Sequence, residues 1–177
     1  MARGRSFSPS MISEALAHAD ALFRLASHLT GTETDAEDIV QDTYARAFGA
    51  SSQFAEGTNL RAWLFRILRN AYIDSYRRER ANPVRGGFDD DEHAPTAERE
   101  LLRDDEEMER LRSVVAEDIR AALMTLSVDA RTVVLLDLEG LTETELATVL
   151  GCPVGTVKSR LMRARAALRE RLREYAR

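Results

Sequence analysis

Cysteine is almost absent from this chain: among 177 residues there is only Cys152. One thiol closes no intramolecular disulfide. With no Cys-x-x-Cys, and with His18, His28 and His93 far apart, neither a zinc knuckle nor a redox pair can be assembled. A reducing compartment is the setting this implies. Long apolar runs are missing too. Glu14, Asp20 and Arg24 interrupt the first 30 residues, so no signal-peptide core forms there, and no stretch of about 18 apolar residues occurs anywhere. The expectation is a cytoplasmic chain, neither secreted nor membrane-spanning, with no cofactor and no metal. Nor does any run alternate with period two for long enough to support a strand. What remains, 44% hydrophobic and 31% charged, is the composition of a soluble globular protein and excludes disorder as the default state.

The net charge of −5 argues against a nucleic-acid binder until it is divided along the chain. Residues 1–83 carry ten basic and ten acidic side chains, 84–112 five and eleven, and 113–177 ten and nine. The acidity lies in the middle. Within 156–177, eight Lys or Arg stand against Glu170 and Glu174, an electrostatic footprint for phosphate.

Apolar residues recur at helical spacing from end to end. Leu16, Ala19, Leu22, Phe23, Ala26 and Leu29, followed by Gly31, predict one amphipathic helix over 11–30. Thr34 with Glu37 forms a capping-box pattern for a second helix over about 35–49. Leu60, Leu64, Ile67, Leu68 and Ala71 mark a third from Asn59 into the basic run 76–80, and Pro83 closes the segment. From 84 to about 110, Gly86-Gly87, Pro95 and acidic clusters offer little to bury and predict a linker, helical at most in its second half. Beyond it, Ile119, Leu123 and Leu126 predict a helix ended by Ser127. Val133, Val134, Leu136 and Leu138 predict another ended by Gly140, and Thr142 with Glu145 caps the next. The predicted fold is all-α: two small helical domains, 11–83 and 113–177, joined by an acidic flexible linker, 84–112.

The sharpest local signal starts at Thr142. A helix-turn-helix needs a small residue where its helices cross, a turn residue tolerant of unusual dihedrals, and apolar residues that lock the second helix. Ala147, Gly151 and the set Leu146, Leu150, Val157 and Leu161 meet those needs. At about 100° per residue, Val157, Leu161, Ala164, Leu168 and Leu172 share one stripe, while Ser159, Met162 and Arg163 point roughly opposite with Lys158 at the edge. Those side chains can enter a major groove, whereas Lys158, Arg160 and Arg165 suit phosphates.

A second constellation lies at 54–80. Phe54, Trp63, Phe65, Tyr72 and Tyr76 are interleaved with Arg61, Arg66, Arg69, Arg77, Arg78 and Arg80, as a single-stranded nucleic acid requires of a basic groove with stacking platforms. Aromatics at this spacing also serve as core, so the arginines favour the binding reading for the window rather than for each ring. The acidic face of 33–42 suits either a solvated helix start or a docking face for a basic protein. No nucleophile accompanies the linker carboxylates and no glycine-rich phosphate loop is present, so the chain reads as a non-enzyme.

Three segments in order resemble the bacterial extracytoplasmic-function (ECF, group 4) sigma factors of the sigma-70 family, over about 15–83 and 113–175. Asp35-Ala-Glu-Asp-Ile-Val-Gln-Asp-Thr-Tyr-Ala-Arg-Ala-Phe is similar to region 2.2. Asn59-Leu-Arg-Ala-Trp-Leu-Phe-Arg-Ile-Leu-Arg-Asn is similar to region 2.3, and Cys152-Pro-Val-Gly-Thr-Val-Lys-Ser-Arg-Leu to region 4.2. The detail of 54–72 is most similar to the actinobacterial stress- and redox-responsive subgroup.

The resemblance implies a sigma factor that brings core RNA polymerase to promoters and melts the −10 element, held inactive by an anti-sigma factor of the zinc-containing type frequent in that subgroup. Asp38, Gln41, Asp42 and Arg46 would dock on the clamp helices of the largest polymerase subunit, and the helix-turn-helix domain would meet the beta flap. Arg61, Trp63, Arg66, Arg69, Tyr76, Arg77 and Arg78 would capture the melted strand. Asn70, Ala71 and Tyr72 would form a pocket for a flipped base, whose extrusion costs about a few kcal/mol. Thr156, Lys158, Ser159, Arg160, Met162, Arg163 and Arg165 would meet the −35 duplex. The acidic linker would thread channels lined for a polyanion. The resemblance gives residues 1–13 no role and implies no regulatory domain after the recognition helix.

Two other readings fit parts of the sequence. An autonomous helix-turn-helix regulator would bind duplex DNA without polymerase but leaves the aromatic-arginine window unexplained. A protein-binding adaptor would work through its acidic surfaces and show little salt dependence toward DNA.

Overall fold

The computed structural model describes residues 7–55, 57–81 and 103–173. Of the linker expected at 84–112, residues 84–102 lie outside them. The described residues form eight α-helices and no strand: α1 (Pro9–Leu16), α2 (Ala19–Thr30), α3 (Glu33–Gly49), α4 (Leu60–Ala81), α5 (Arg103–Met124), α6 (Val128–Leu138), α7 (Glu143–Leu150) and α8 (Val154–Arg171). A single 3-10 turn, Ser51–Gln53, follows α3.

The helix expected over 11–30 is two helices. Ser8 caps α1 by accepting the Met11 N–H at 3.3 Å, with Pro9 pre-set for the first turn. The break falls at Ala17 and His18, for a reason local sequence does not carry. The Ala15 carbonyl accepts the Tyr44 hydroxyl of α3 at 3.0 Å and the His18 N–H at 3.2 Å, which tightens the chain into an i→i−3 turn. Then α2 runs to Gly31, whose φ of 88° closes the helix in a left-handed cap.

The cap of α3 also differs from expectation. Thr32, not Thr34, accepts the Asp35 N–H at 3.2 Å, and its hydroxyl donates to the Asp35 carboxylate at 2.6 Å. Asn59 starts α4 as expected, its Oδ1 accepting the Ala62 N–H at 3.0 Å. From there α4 is unbroken through the basic run. In the second half, α5 begins at Arg103, inside the segment read as linker, and Ser127 caps α6 rather than ending the helix before it. The capping box of α7 forms as expected between Thr142 and Glu145, and Gly151 closes α7 with φ of 63°.

Helices α2, α3 and α4 pack together, with α1 against α4; α6, α7 and α8 form a second body, with α5 against α8. The two bodies also meet, α4 on α7 and α2 on α6. Their buried apolar side chains form one continuous cluster, from Leu22, Leu25, Leu29, Leu64, Phe65 and Leu68 to Val133, Leu136, Leu146, Val149 and Val157. Each such side chain contributes about 1.5–3 kcal/mol on burial.

The joint contains one buried charge. Arg131 on α6 is 5% exposed. Its Nε donates to the Leu123 carbonyl at 3.1 Å, and Nη2 reaches those of Met124 and Leu126 at 3.5 and 3.4 Å. Its Nη1 donates across the bodies to the carbonyls of His28 and Leu29 at 3.4 and 3.2 Å. These acceptors sit at the C-terminal ends of α2 and α5, where carbonyls lack intrahelical partners and the helix dipole is negative. A guanidinium is the side chain that satisfies so many at once. We therefore expect Arg131→Met to lower unfolding free energy by about 2–4 kcal/mol, because it strands buried acceptors. Thr142→Ala, which removes only an exposed cap, should cost about 1 kcal/mol. Urea unfolding of both variants checks the ranking.

Candidate nucleic-acid interface

Helix α8 buries one stripe, Val157, Leu161 and Ala164, with Leu168 packed against the same core. The wheel read from sequence is the wheel that forms. On the opposite face Met162 is 69% exposed, and Arg163 lies beside it in solvent, its Nε donating to the Ser159 carbonyl at 3.1 Å. Thr156 and Ser159 are half-buried, and the Ser159 hydroxyl is turned onto the Thr156 carbonyl at 3.0 Å. Three cations that flank this face are engaged by carboxylates. Lys158 Nζ lies 3.2 Å from Glu143, Arg160 Nη1 lies 2.9 Å from Asp129, and Arg165 Nη2 lies 2.5 Å from Asp137. An open groove of about 410 Å³ separates α7 from α8, walled by Glu143, Lys158, Met162 and Arg165.

The aromatic-arginine window resolves into two layers. Phe65 and Ala71 are fully buried and Tyr72 nearly so, hence these three support the surface from beneath. For Ala71, expected to line a base pocket, burial leaves no face toward solvent in this arrangement. Trp63 is half-buried in a ring cluster that sequence reading missed. Phe7 meets Phe48, Phe54 and Trp63 edge-on, with centroids 5.9, 6.0 and 5.9 Å apart. Of the segment 1–13, the described residues 7–13 thus have a structural anchor at Phe7. Tyr76 is 41% exposed and stacks on Tyr72 at 6.2 Å, and Arg66, Asn70, Arg77 and Arg78 are exposed beside it. Asn70 is reached by Arg69 Nη1 at 3.4 Å, and Arg78 Nε donates to the Asp74 carbonyl at 3.3 Å. One end of α4 therefore offers an exposed ring with polar and cationic neighbours.

Arg61 and Arg69, at the other edge of that surface, face the second body. Arg61 lies over the Phe65 ring at 5.6 Å, donates to the Glu139 carbonyl at 2.8 Å and meets its carboxylate at 3.3 Å. Arg69 Nη2 binds Asp129 at 2.5 Å, while its buried Nε has no hydrogen-bond partner. Arg24 forks onto Glu139 at 2.8 and 3.0 Å, and Asn59 hydrogen-bonds Glu145. On α3, Asp38 and Gln41 are exposed, and Arg46 links Asp42 at 2.9 Å to Asp74 of α4 at 2.7 Å.

Glu139, Asp129, Asn59 and Arg24 were not predicted as site residues. One local signal existed: Glu139 and Asp137 sit at the C-terminal end of α6, where the helix dipole disfavours anions and no basic residue compensates. Residues placed against a local rule answer to distant partners. The Glu139 carboxyl is held below its ordinary value of 4.5, first by the Arg24 hydrogen bond and then by the charges of Arg24 and Arg61. Because the folded state favours the carboxylate, its contribution is complete above the unfolded value and is lost as pH falls through the lower, folded one. On acidification below about pH 4.5, wild-type stability should therefore decline more steeply than that of Glu139→Gln in parallel urea titrations. Equal slopes would show that Glu139 is not held in this way.

Residues 15–82 match the family model for sigma-70 region 2, and residues 116–168 match that for sigma-70 region 4. The chain is 34% identical over 163 residues to the ECF RNA polymerase sigma factor SigE of Mycolicibacterium smegmatis, which covers 90% of this chain and 60% of that protein. It is 34% identical over 160 residues to the ECF sigma factor EcfG of Rhodopseudomonas palustris, covering 90% and 83%. Among solved structures, it is similar to the sigma factor RpoE in complex with the anti-sigma factor NepR from Bartonella quintana. There the TM-score is 0.72 and the identity 33%, over 94% of this chain and 98% of that one. It is also similar to CnrH in complex with the cytosolic domain of CnrY, at a TM-score of 0.64 and 30% identity over 92% and 86%.

Proposed function

The chain belongs to the extracytoplasmic-function sigma factors of the sigma-70 family, and we propose that it brings bacterial core RNA polymerase to specific promoters and opens their −10 element. The observation that carries this is the recognition face of α8, which is locked from behind by Val157, Leu161 and Ala164 and leaves Met162 and Arg163 outward. A face so fixed can read base edges, because its register on DNA does not depend on mobile backbone. Arg163, Met162, Ser159 and Lys158 read the −35 duplex, with Arg160, Arg165 and Thr156 on its phosphates.

On the first body, Tyr76 with Arg66, Asn70, Arg77 and Arg78 receives the melted −10 strand. Stacking on one exposed ring is worth about 1–3 kcal/mol per base. Arg61, Trp63 and Arg69 extend that surface, and Tyr72 backs the exposed ring. Asp38, Gln41, Asp42 and Arg46 form the docking face for the largest polymerase subunit, pre-set by the Arg46 link to Asp42 and Asp74. The protein works as a DNA-binding initiation factor and not as an enzyme, and it does so in the cytoplasm. No helix among the described residues is long and apolar enough to cross a membrane. Like the relative solved with NepR, it is held by an anti-sigma factor, and the zinc-containing type remains part of this reading.

The division of labour makes a measurable split. Arg163→Ala should lower transcription from the protein's own promoter by about tenfold, within the range for loss of one base contact, with little change in core-polymerase binding. Asp42→Lys should weaken co-elution with core polymerase and leave promoter preference intact. Equal effects of both changes in both assays would contradict the assignment.

A further inference from the structure

One contact of the Arg131 guanidinium is made to sulfur rather than to oxygen. Its Nη1 lies 2.8 Å from the thioether of Met124, closer than to the carbonyls of His28 and Leu29 at 3.4 and 3.2 Å. Nη1 carries two N–H groups and faces these three acceptors, so the thioether takes one and the carbonyls at the end of α2 divide the other. The two sides of the contact differ in access. Arg131 is 5% exposed, whereas Met124, the last residue of α5, is 46% exposed. Solvent therefore meets the buried cation site at an acceptor whose chemistry an oxidant can change.

We propose that Met124 is an oxidative modification site, at which a hydroperoxide destabilises the fold by turning the weak sulfur acceptor of Arg131 into a strong oxygen one. The sulfur lone pair attacks the terminal oxygen of the hydroperoxide. The O–O bond breaks and an S=O bond forms, the hydroxyl proton passes to the departing oxygen, the thioether is oxidised by two electrons, and the hydroperoxide leaves as the alcohol, or as water from hydrogen peroxide. A thioether accepts hydrogen bonds weakly, and its sulfoxide is polar and accepts through oxygen. At 2.8 Å an oxygen does not fit between sulfur and Nη1. The guanidinium must swing to meet the new oxygen, or is pushed away where that oxygen turns elsewhere. Either movement withdraws Nη1 from the carbonyls of His28 and Leu29. Leu29 is fully buried, so its carbonyl has no water to replace the lost donor. Met162, 69% exposed on α8, is open to the same reagent but lies outside the Arg131 site. The modification needs neither DNA nor polymerase, and sulfoxide reductases reverse it.

The test uses the full chain with Cys152→Ser, so that no thiol consumes the oxidant. This parent, Met124→Leu and Met162→Leu are treated while folded with hydrogen peroxide, at a dose that converts Met162 of the parent. Sulfoxide at each methionine is followed by peptide mass spectrometry, and urea unfolding is recorded before and after. Conversion of Met124 should raise the unfolding equilibrium constant about 5- to 30-fold, in the parent and in Met162→Leu alike. Met124→Leu keeps the apolar bulk without the sulfur, and its urea midpoint should be the same with and without peroxide. A further arm does not depend on how any leucine variant folds: methionine sulfoxide reductases acting on both epimers should return the oxidised parent to its original midpoint. Three results would overturn the assignment. They are a Met124 that stays reduced in the folded parent while Met162 is converted, a midpoint that full conversion of Met124 leaves in place, and a loss in Met124→Leu equal to that of the parent.

Discussion

The whole arrangement turns on a guanidinium buried among carbonyl oxygens. Arg131 collects acceptors from the C-terminal ends of α2 and α5, one from each body, at the point where those ends would otherwise be buried unsatisfied. Breaking such a site costs far more than an exposed ion pair contributes, because the acceptors left behind have no water to turn to. Arg120 repeats the motif at the margin, reaching the Gly31 carbonyl at 3.2 Å just past the end of α2. Once the C-terminus of α2 is pinned to α6 in this way, α4 lies against α7, and the remaining pairs between the bodies follow from that register.

Electrostatics then follow from geometry. Taken separately, the first body has Arg24, Arg61 and Arg69 on one side of α2 and α4, and the second has Asp129, Glu139 and Glu145 around α6 and α7. The pairing neutralises charges that the net composition hides. It also explains why anions stand at the C-terminal end of α6 against its dipole: Asp137 holds Arg165, and Glu139 holds Arg24 and Arg61. Each pair is only partly buried and individually modest. Their consequence is specificity of placement, with Arg61, Arg69 and Arg165 turned toward carboxylates while Met162 and Tyr76 are exposed.

The helix-turn-helix was legible because its signals are local: a capping box at Thr142, a left-handed glycine at 151, and an apolar stripe on α8 that packs on the two helices before it. The start of α4 at Asn59 was legible for the same reason. The break in the first helix was not, since it depends on the Tyr44 hydroxyl arriving from another helix. The cap formed at Thr32, whose hydroxyl pairs with Asp35, rather than at Thr34, where the capping-box spacing placed it. Rings at helical spacing could not be sorted from sequence into core and surface, and Phe65 and Tyr72 went inward while Tyr76 stayed out. The contacts between the bodies, such as Arg24 with Glu139 115 residues apart, left no trace in periodicity or spacing.

The central claim is that these two helical bodies act together as an initiation factor, and it is tested most directly by reconstitution. Purified protein is mixed with bacterial core RNA polymerase and a fragment spanning its own upstream region, and unpaired thymines are mapped with permanganate. The account predicts co-elution with core polymerase and reactivity confined to a −10 segment, absent without either protein. Failure to co-elute, together with a salt-sensitive shift of duplex DNA by the protein alone, would contradict it.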